Sequence, residues 1–240
     1  MLSSRKYDEA IDAFIALGSY KDASSRVLDA RYQLAGNLVS KEDYIGAVAI
    51  FNSLGNFKDA SLKTAEYITG LIKQGVAKDL PFGTYKWRVL EVKDSTALLV
   101  TEQIIGNALY NSDRKSVTWE NCLLRSFLNG DFYNEFSNRE KSLIVTSDLP
   151  NPSNSEHGTE GGIVTSDKVF LLSVDDSKQC FAGNNDRTAK QKGSAVWRWL
   201  RSPSGDSQYA AGVEELGSIS HGGNGVNSVP GIRPALYIKL

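Results

Sequence analysis

The chain has 240 residues and a net charge of −1, enough length for one large domain or two smaller ones with their own cores. Hydrophobic residues make up 41% and charged residues 23%, which is ordinary for a globular protein. The lack of a basic excess argues against a nucleic-acid partner. No apolar run is long enough to cross a bilayer and no signal-peptide core is present, so a cytoplasmic location is the default expectation, although the chain could be a piece of a longer, anchored protein.

Two cysteines, Cys122 and Cys180, are too few for a disulfide framework, and we expect both to be unpaired thiols. Cys122 lies among apolar residues at helical spacing, which predicts a buried helical position. Cys180 lies in a polar stretch, residues 175–192, which predicts a loop.

The N-terminal part contains an internal repeat. Residues 7–23 reappear as residues 44–60, with the same pattern of Tyr, Ala, Phe, Leu, Gly, an aromatic residue and Lys-Asp-Ala. The first four fall on one face of a helix, and the glycines Gly18 and Gly55 suit helix C-caps. The pattern predicts four helices, at about residues 4–17, 20–39, 42–54 and 57–74.

These four helices resemble two tetratricopeptide-type αα hairpins, in a repeat region that we assign to residues 1–78. Two units are fewer than such stacks usually need. Either the hairpins dock on the C-terminal domain, or the chain begins inside a longer array. The resemblance implies a spacer, or a docking element with a protein partner of its own.

Residues 79–240 read as an α+β domain with antiparallel strands. Alternating apolar residues predict a hairpin of strands at 85–92 and 96–101. A helix is predicted for 119–129, and the Ser-x-x-Glu capping box at Ser137 predicts a second, short helix to about residue 144. The predicted later elements are a long loop at 148–164, a buried strand at 167–173, and closing strands at 197–202 and 232–240.

Five motifs in this part resemble a bacterial domain family of unknown function, DUF6273. They are Trp87-x-Val89-Leu90, Trp119-Glu120-x-Cys122-x-Leu124-Arg125-x-x-Leu128-Asn129, residues 167–173, Trp197-x-Trp199-Leu200-Arg201-Ser202-Pro203 and Gly231-Ile232-Arg233-Pro234-Ala235-Leu236. More distantly, the domain resembles the C-type-lectin-like fold of formylglycine-generating enzymes and of the variable proteins of diversity-generating retroelements. That fold implies that strand 85–92 pairs with strand 232–240 and that the long connections emerge at one end. Arg198 interrupts the Trp-Trp pair that the resemblance leads us to expect.

No catalytic or metal-binding constellation is apparent, and we predict no cofactor. Formylglycine-generating chemistry needs paired cysteines or a late metal site, and neither is present. The oxygen-rich runs at 175–176 and 184–186 could suit calcium, but such runs are common in polar loops. The two histidines, His157 and His221, lie in glycine-rich stretches where exposed loop positions are the simpler reading.

Five large or charged residues are predicted to brace the domain. Arg201 and Arg233 each lie inside an apolar strand, where an unpaired charge would be costly, so each should have a carboxylate or carbonyl partner. Gripping an anionic ligand is the alternative role for these arginines. The predicted bracing residues are Trp87, Trp119, Trp197, Arg201 and Arg233.

The polar, glycine-rich run 204–229 cannot by itself pack a core, and it is the best candidate for a binding surface. Tyr, Ser and Asn form a composition shared with antibody paratopes. The predicted ligand contacts are Asp206, Ser207, Gln208, Tyr209, His221, Asn224 and Asn227.

The expected function is therefore a non-catalytic display module that binds a protein or a glycan. The resemblance to retroelement variable proteins further implies that this surface could be diversified. One alternative is a degenerate or uncharacterised enzyme, which predicts a pocket around Arg201, Asp206 and His221. The other is a structural module of a larger assembly.

Overall fold

The computed structural model describes residues 4–75 and 78–240. The four predicted N-terminal helices are present within a few residues of the predicted bounds. They are α1 (Ser4–Ala16), α2 (Ala23–Val39), α3 (Tyr44–Leu54) and α4 (Ala60–Lys73).

The two αα hairpins share their turn geometry as well as their sequence. Gly18 and Gly55 have φ values of 56° and 54°, in the left-handed region that favours glycine. Three residues later, Lys21 and Lys58 also adopt positive φ, at 49° and 51°. The repeat therefore extends to backbone conformation, and each turn redirects the chain in the same way.

The second hairpin docks on the C-terminal part of the chain. α3 and α4 contact the first strand of that part, and α4 also contacts its helix at residues 138–143. Val48, Ile68 and Leu71 belong to the same hydrophobic cluster as the sheet residues. Of the two expectations for a short array, the structure shows docking on the domain.

The C-terminal part contains two five-stranded sheets. The first has the order β1-β2-β3-β14-β5 and the second β12-β11-β10-β13-β4, with only the β10–β13 pair parallel. Two-stranded pairs β6–β7 and β8–β9 lie outside them. The strands are β1 (Leu80–Phe82), β2 (Tyr85–Lys93), β3 (Thr96–Thr101), β4 (Gly106–Asn107), β5 (Ile144–Val145), β6 (Ser147–Leu149), β7 (Thr165–Asp167), β8 (Lys190–Gln191), β9 (Ser194–Ala195), β10 (Arg198–Pro203), β11 (Tyr209–Val213), β12 (Ile219–Gly225), β13 (Gly231–Ile232) and β14 (Ala235–Lys239).

Four short helices complete this part of the chain. They are α5 (Leu123–Phe127), α6 (Asn138–Leu143), α7 (Val174–Gln179) and α8 (Asn184–Arg187). The capping box at Ser137 that predicted α6 is confirmed. A second capping box, at Ser173, begins α7. The prediction of a loop for residues 175–192 is therefore wrong, because α7 and α8 lie within it.

The predicted pairing of strand 85–92 with strand 232–240 is also wrong. β14 pairs with β3, from Ala235 opposite Val100 to Lys239 opposite Thr96. The tight turn at Asp94, with φ of 53°, makes β2 and β3 a hairpin. β3 is almost wholly buried, whereas the last three residues of β2 are exposed, so β3 takes the central place in the sheet.

The predicted strand 167–173 is buried, but most of it is not a strand. β7 ends at Asp167, and Phe170 makes one isolated bridge to Ala235. Between these two points, the side chain of Asn129 satisfies the backbone groups of the chain. It accepts from the N–H of Lys168 at 2.8 Å and donates to the carbonyl of Val169 at 2.9 Å. A side chain thus replaces the neighbouring strand.

The predicted helix 119–129 is interrupted at Cys122. A 3₁₀ turn covers Trp119–Asn121, and Cys122 then adopts an extended conformation as the N-cap of α5, so it is buried but not helical. The helix continues beyond Gly130 through a π-helical turn, Leu128–Phe132. The Asn129 amide also donates to the carbonyl of Arg125 at 3.1 Å, and this bond accompanies the wider turn.

A buried carboxylate links these segments. Asp167 has no solvent exposure, and it accepts from Trp119 Nε1 at 2.9 Å, from Arg125 Nε at 2.6 Å and from the Thr165 hydroxyl at 2.9 Å. Asn129 adds a longer bond at 3.4 Å. Trp119, Arg125 and Asn129 belong to the second of the five family motifs, and Asp167 begins the third. Their hydrogen bonds thus join α5 to β7.

Asp167→Asn should destabilise the protein although it preserves the shape of the side chain. The variant removes the carboxylate that pairs with Arg125. It also places an amide N–H₂, which is a donor, where the present neighbours are themselves hydrogen-bond donors. We expect the free energy of unfolding to fall by about 3 kcal/mol. Urea denaturation measures this, with the exposed Asp131→Asn as a matched control. Equal stability of the two variants would contradict the central place of Asp167.

Candidate functional site: the loop face

Several connections gather at one end of the second sheet. We call this surface the loop face and define it as residues 111–118, 150–164, 203–208 and 221–229. The N–H of Val117 donates to the carbonyl of Ser207 at 3.1 Å, and the N–H of Asn111 to that of Val226 at 2.8 Å. Asn154 Nδ2 donates to the carbonyl of Pro203 at 3.0 Å, which ties the loop after β6 to β10.

Residues 204–229 are more ordered than their composition predicts. β11 and β12 form a hairpin within this run, and Ala210, Ala211 and Val226 are buried. Gly223 has φ of 63°, and a Cβ there would lie 2.1 Å from the carbonyl oxygen of Ala210. The interpretation that this run cannot pack a core is wrong, because small residues let the hairpin lie against the domain.

Tyr209 begins β11 at the open end of this hairpin, opposite Gly225 and directly after the turn at 204–208. We call this end, residues 206–209 and 225–227, the tip of the loop face. The guanidinium carbon of Arg114 lies 4.9 Å from the centre of its ring, and Arg114 also donates to its hydroxyl. Cation–π contact and hydrogen bond together hold a half-exposed aromatic side chain in one orientation. Arg114 was not among the predicted contacts, because it is a basic residue in a polar loop and no sequence spacing connects it with Tyr209.

The other predicted contacts divide between the tip and a cleft. Ser207, Gln208 and Asn227 are exposed near Tyr209, and Asn224 is half-buried opposite Ala210. Asp206 serves the turn itself, because its carboxylate accepts from the N–H of Gln208 at 2.8 Å. The structure therefore gives Asp206 a local partner.

His221 lies apart from the tip, beside a small cleft. Its Nε2 is 3.3 Å from a carboxylate oxygen of Glu156. Polar and apolar groups line the cleft in about equal parts, and they come from residues 152–155, 174–175, 202–203 and His221. His157, the other histidine, lies against Gly205 on the loop face.

Arg201, Asp206 and His221 do not share a partner. Arg201 is 3% exposed and donates to the carbonyl of Leu171 at 2.9 Å and to Asp176, whereas His221 contacts Glu156. In the described parts of the chain, no group of three His, Cys, Asp or Glu side chains is placed to hold a metal ion. The arrangement suits contact with a ligand surface better than proton transfer at a single point.

The predicted bracing tryptophans all lie in packed positions. Trp87 is fully buried and donates to the carbonyl of Phe82 at 2.7 Å, while Trp119 donates to Asp167. Trp197 packs edge-on against Trp199 with ring centres 5.0 Å apart. Arg198, which lies between the two tryptophans in the sequence, is buried as well. Consecutive residues of β10 are therefore buried, which means that the strand is covered on both faces.

Each of the two predicted bracing arginines has polar partners of the expected kinds. Arg201 has the carboxylate of Asp176 and backbone carbonyls, whereas Arg233 donates to the carbonyl of Thr101 at 2.7 Å. Burial would raise the pKa of Asp176, but the charge of Arg201 and the N–H of Ser173 outweigh it and hold that pKa below 3.8. Asp176 thus belongs to the capping box of α7 and also pairs with the charged side chain of Arg201 on β10.

The two cysteines are free, as expected. Burial raises the pKa of Cys122 to about 12 and, with nearby carboxylates, that of Cys180 to about 11. Because the thiolate is the nucleophile, neither thiol is activated for chemistry at neutral pH.

Comparison with known proteins places this structure in a family. Residues 94–240 match the family described as "Domain of unknown function (DUF6273)", and the chain belongs to that family. No curated protein and no solved structure matches the chain. None of the described helices is both long and apolar enough to cross a membrane. Within the matched residues the first strand is β3, and it pairs with the last strand, β14.

Asp176→Asn should destabilise the protein in a pH-dependent way. Arg201 would lose its carboxylate partner, so at pH 7 we expect the free energy of unfolding to fall by about 2–4 kcal/mol. Because the folded-state pKa of Asp176 is lowered, its stabilising contribution is present above about pH 4 and is lost as the pH falls through that pKa.

Urea denaturation between pH 3 and pH 7 measures this difference. The control is Asp175→Asn, which removes an adjacent, exposed carboxylate. A gap between wild type and Asp176→Asn that stays constant or widens in acid would contradict the assignment.

Proposed function

We propose that this protein is a non-catalytic binding module whose loop face recognises a protein or a glycan. The observation that carries the proposal is that hydrogen bonds join several connections into one ordered surface, on which Arg114 holds Tyr209 in place. Tyrosine offers a large, amphipathic contact area at low conformational cost, and neighbouring Ser, Gln and Asn offer adaptable hydrogen bonds. A surface already ordered loses less entropy when it binds.

Burial and polar partners favour binding over catalysis on this face. The cleft beside His221 is small and its lining is polar and apolar in about equal parts, whereas small-molecule sites are usually larger and mainly apolar. Asp206 is engaged in its own turn, and Arg201 is buried against Asp176. The groups that remain on this face point to solvent and could contact a ligand surface, but they do not form a converging set of acid, base and nucleophile.

We further propose that the domain has a C-type-lectin-like architecture. The collection of long connections at one end supports it, as does the position of the last strand, β14, in the same sheet as the early strands β1, β2 and β3. In a display role of the retroelement kind, sequence differences between related chains would fall among the exposed residues of the loop face. They would spare the buried Ala210 and also Gly223, where a side chain does not fit.

The direct test is to replace the exposed tip and measure binding. The intact chain is screened on a glycan array and against a panel of surface proteins. Each ligand found is then titrated with Tyr209→Ala and with Tyr209→Ala combined with Asn227→Ala. Because a central aromatic contact is often worth about 2 kcal/mol, we expect binding to weaken about 30-fold in the single variant and further in the double variant.

The matched control changes exposed residues on β2, with Val92→Ala and Lys93→Ala together. This pair removes similar contact area in another part of the domain, and thermal melting verifies that all variants remain folded. Unchanged affinity in the tip variants, or equal loss in the control, would contradict binding through the loop face.

The helical repeats supply a second contact surface. In the second hairpin, Phe51 and Leu54 are covered by α2, and the Tyr32 ring lies 5.5 Å from that of Phe51. At the equivalent position of the first hairpin, Leu17 is 52% exposed, whereas Leu54 is 7% exposed. The two hairpins thus present the same apolar face. In the second hairpin α2 covers this face, whereas in the first hairpin it is exposed at Leu17. We propose that the open face docks another αα hairpin of the same kind.

Duplicating residues 7–43 ahead of Tyr7 tests this docking, because it adds one hairpin in the register of the repeat. The second helix of the added hairpin should cover the Leu17 that follows it and raise the midpoint of urea unfolding. Leu17→Glu at that covered position should abolish the gain. An equal gain with Glu would show that the added hairpin does not dock there.

A further inference from the structure

Two arginines are buried where the two large sheets meet. Arg198 lies on β10 and Arg233 lies between β13 and β14, and each is 3% exposed. Arg198 Nη2 and Arg233 Nη1 donate to the same acceptor, the carbonyl oxygen of Arg187, the latter at 3.3 Å. The two guanidinium groups therefore lie side by side, and their charges repel.

No carboxylate of the described residues lies within 4.0 Å of either guanidinium. The nearest acidic residues are used elsewhere: Arg88 binds Glu102 at 3.1 Å and Asp186 at 2.8 Å. Arg187 adds another positive charge and donates to carbonyl and amide oxygens. Four arginines thus surround two carboxylates, which leaves the cluster with two uncompensated positive charges.

Each buried guanidinium also has a nitrogen without a partner. Arg198 Nη1 and Arg233 Nη2 are inaccessible to solvent and make no hydrogen bond. The hydroxyl of Thr101 is likewise unpartnered, and its own carbonyl accepts from Arg233 Nε. Three donors thus remain unused in a place where unmade hydrogen bonds are costly.

The electrostatics of the cluster point the same way. Burial, and then the charge of Arg233, lower the pKa of Arg198, and burial lowers the pKa of Arg233 to about 10. A guanidinium nevertheless keeps its proton in proteins, so it cannot escape the penalty by becoming neutral as a lysine does. A buried positive pair of this kind requires a negative charge beside it.

We propose that a small monovalent anion of the halide type binds between Arg198 and Arg233. Arg198 Nη1 and Arg233 Nη2 donate to the ion, and the Thr101 hydroxyl provides a third donor. A water molecule could accept the same hydrogen bonds but would leave both charges uncompensated. Because these donor atoms are closed to solvent, phosphate esters and carboxylate ligands of larger size do not reach them.

The ion would join the two sheets at the base of the loop face. Arg198 begins β10, whose far end leads into residues 204–208, while Thr101 ends the central strand of the other sheet. An anion held by both would fix the position of β10 relative to β3.

Crystals soaked in sodium bromide test the site directly, since bromide gives an anomalous signal and water does not. We expect an anomalous peak in contact with Arg198 and Arg233. In solution, replacing gluconate by chloride at constant ionic strength should raise the melting temperature, by about 5 °C when chloride exceeds its dissociation constant a hundredfold.

The chloride dependence should disappear in Arg198→Met and persist in Arg139→Met, the same substitution at an exposed arginine. Arg233→Met is the second variant if Arg198→Met fails to fold. Absence of a bromide peak at the two arginines, or a melting temperature of the wild type that is indifferent to chloride, would overturn the proposal.

Discussion

The buried carboxylate of Asp167 is the constraint on which the domain depends. A charge with no solvent exposure is stable only when donors surround it, and here Trp119, Arg125 and Thr165 do so. These donors come from the helical segment before β5 and from β7. Satisfying one side chain therefore fixes segments that are distant in sequence.

The buried arginines extend the same principle toward the loop face. Arg201 binds Asp176 and the backbone of the segment after β7, while Arg198 and Arg233 bring β10 and the entry to β14 together at the carbonyl of Arg187. β10 is thus held by the polar contacts of Arg198 and Arg201 and by the packing of Trp199 against Tyr110. The turn at 204–208 therefore follows a strand that is anchored along its length.

Local patterns predicted the helices of the repeat, the β2–β3 hairpin and the capping box at Ser137, because spacing and turn residues determine such elements. What depends on distant partners was missed. The side chain of Asn129 replaces a strand beside Lys168, and the burial of β3 makes it, not β2, the partner of β14. At the candidate site, Tyr209 was predicted as a contact from composition, but its contact with Arg114, 95 positions earlier, leaves no local signal.

The central claim is that the loop face is a rigid surface, and hydrogen exchange of its amides tests it most directly. The N–H groups of Asn111, Val117 and Val226 bond across the connections that form this face. The account predicts that these three amides exchange slowly, in the same range as amides of β3 and β14. Exchange within seconds, as in an unstructured glycine-rich loop, would contradict it.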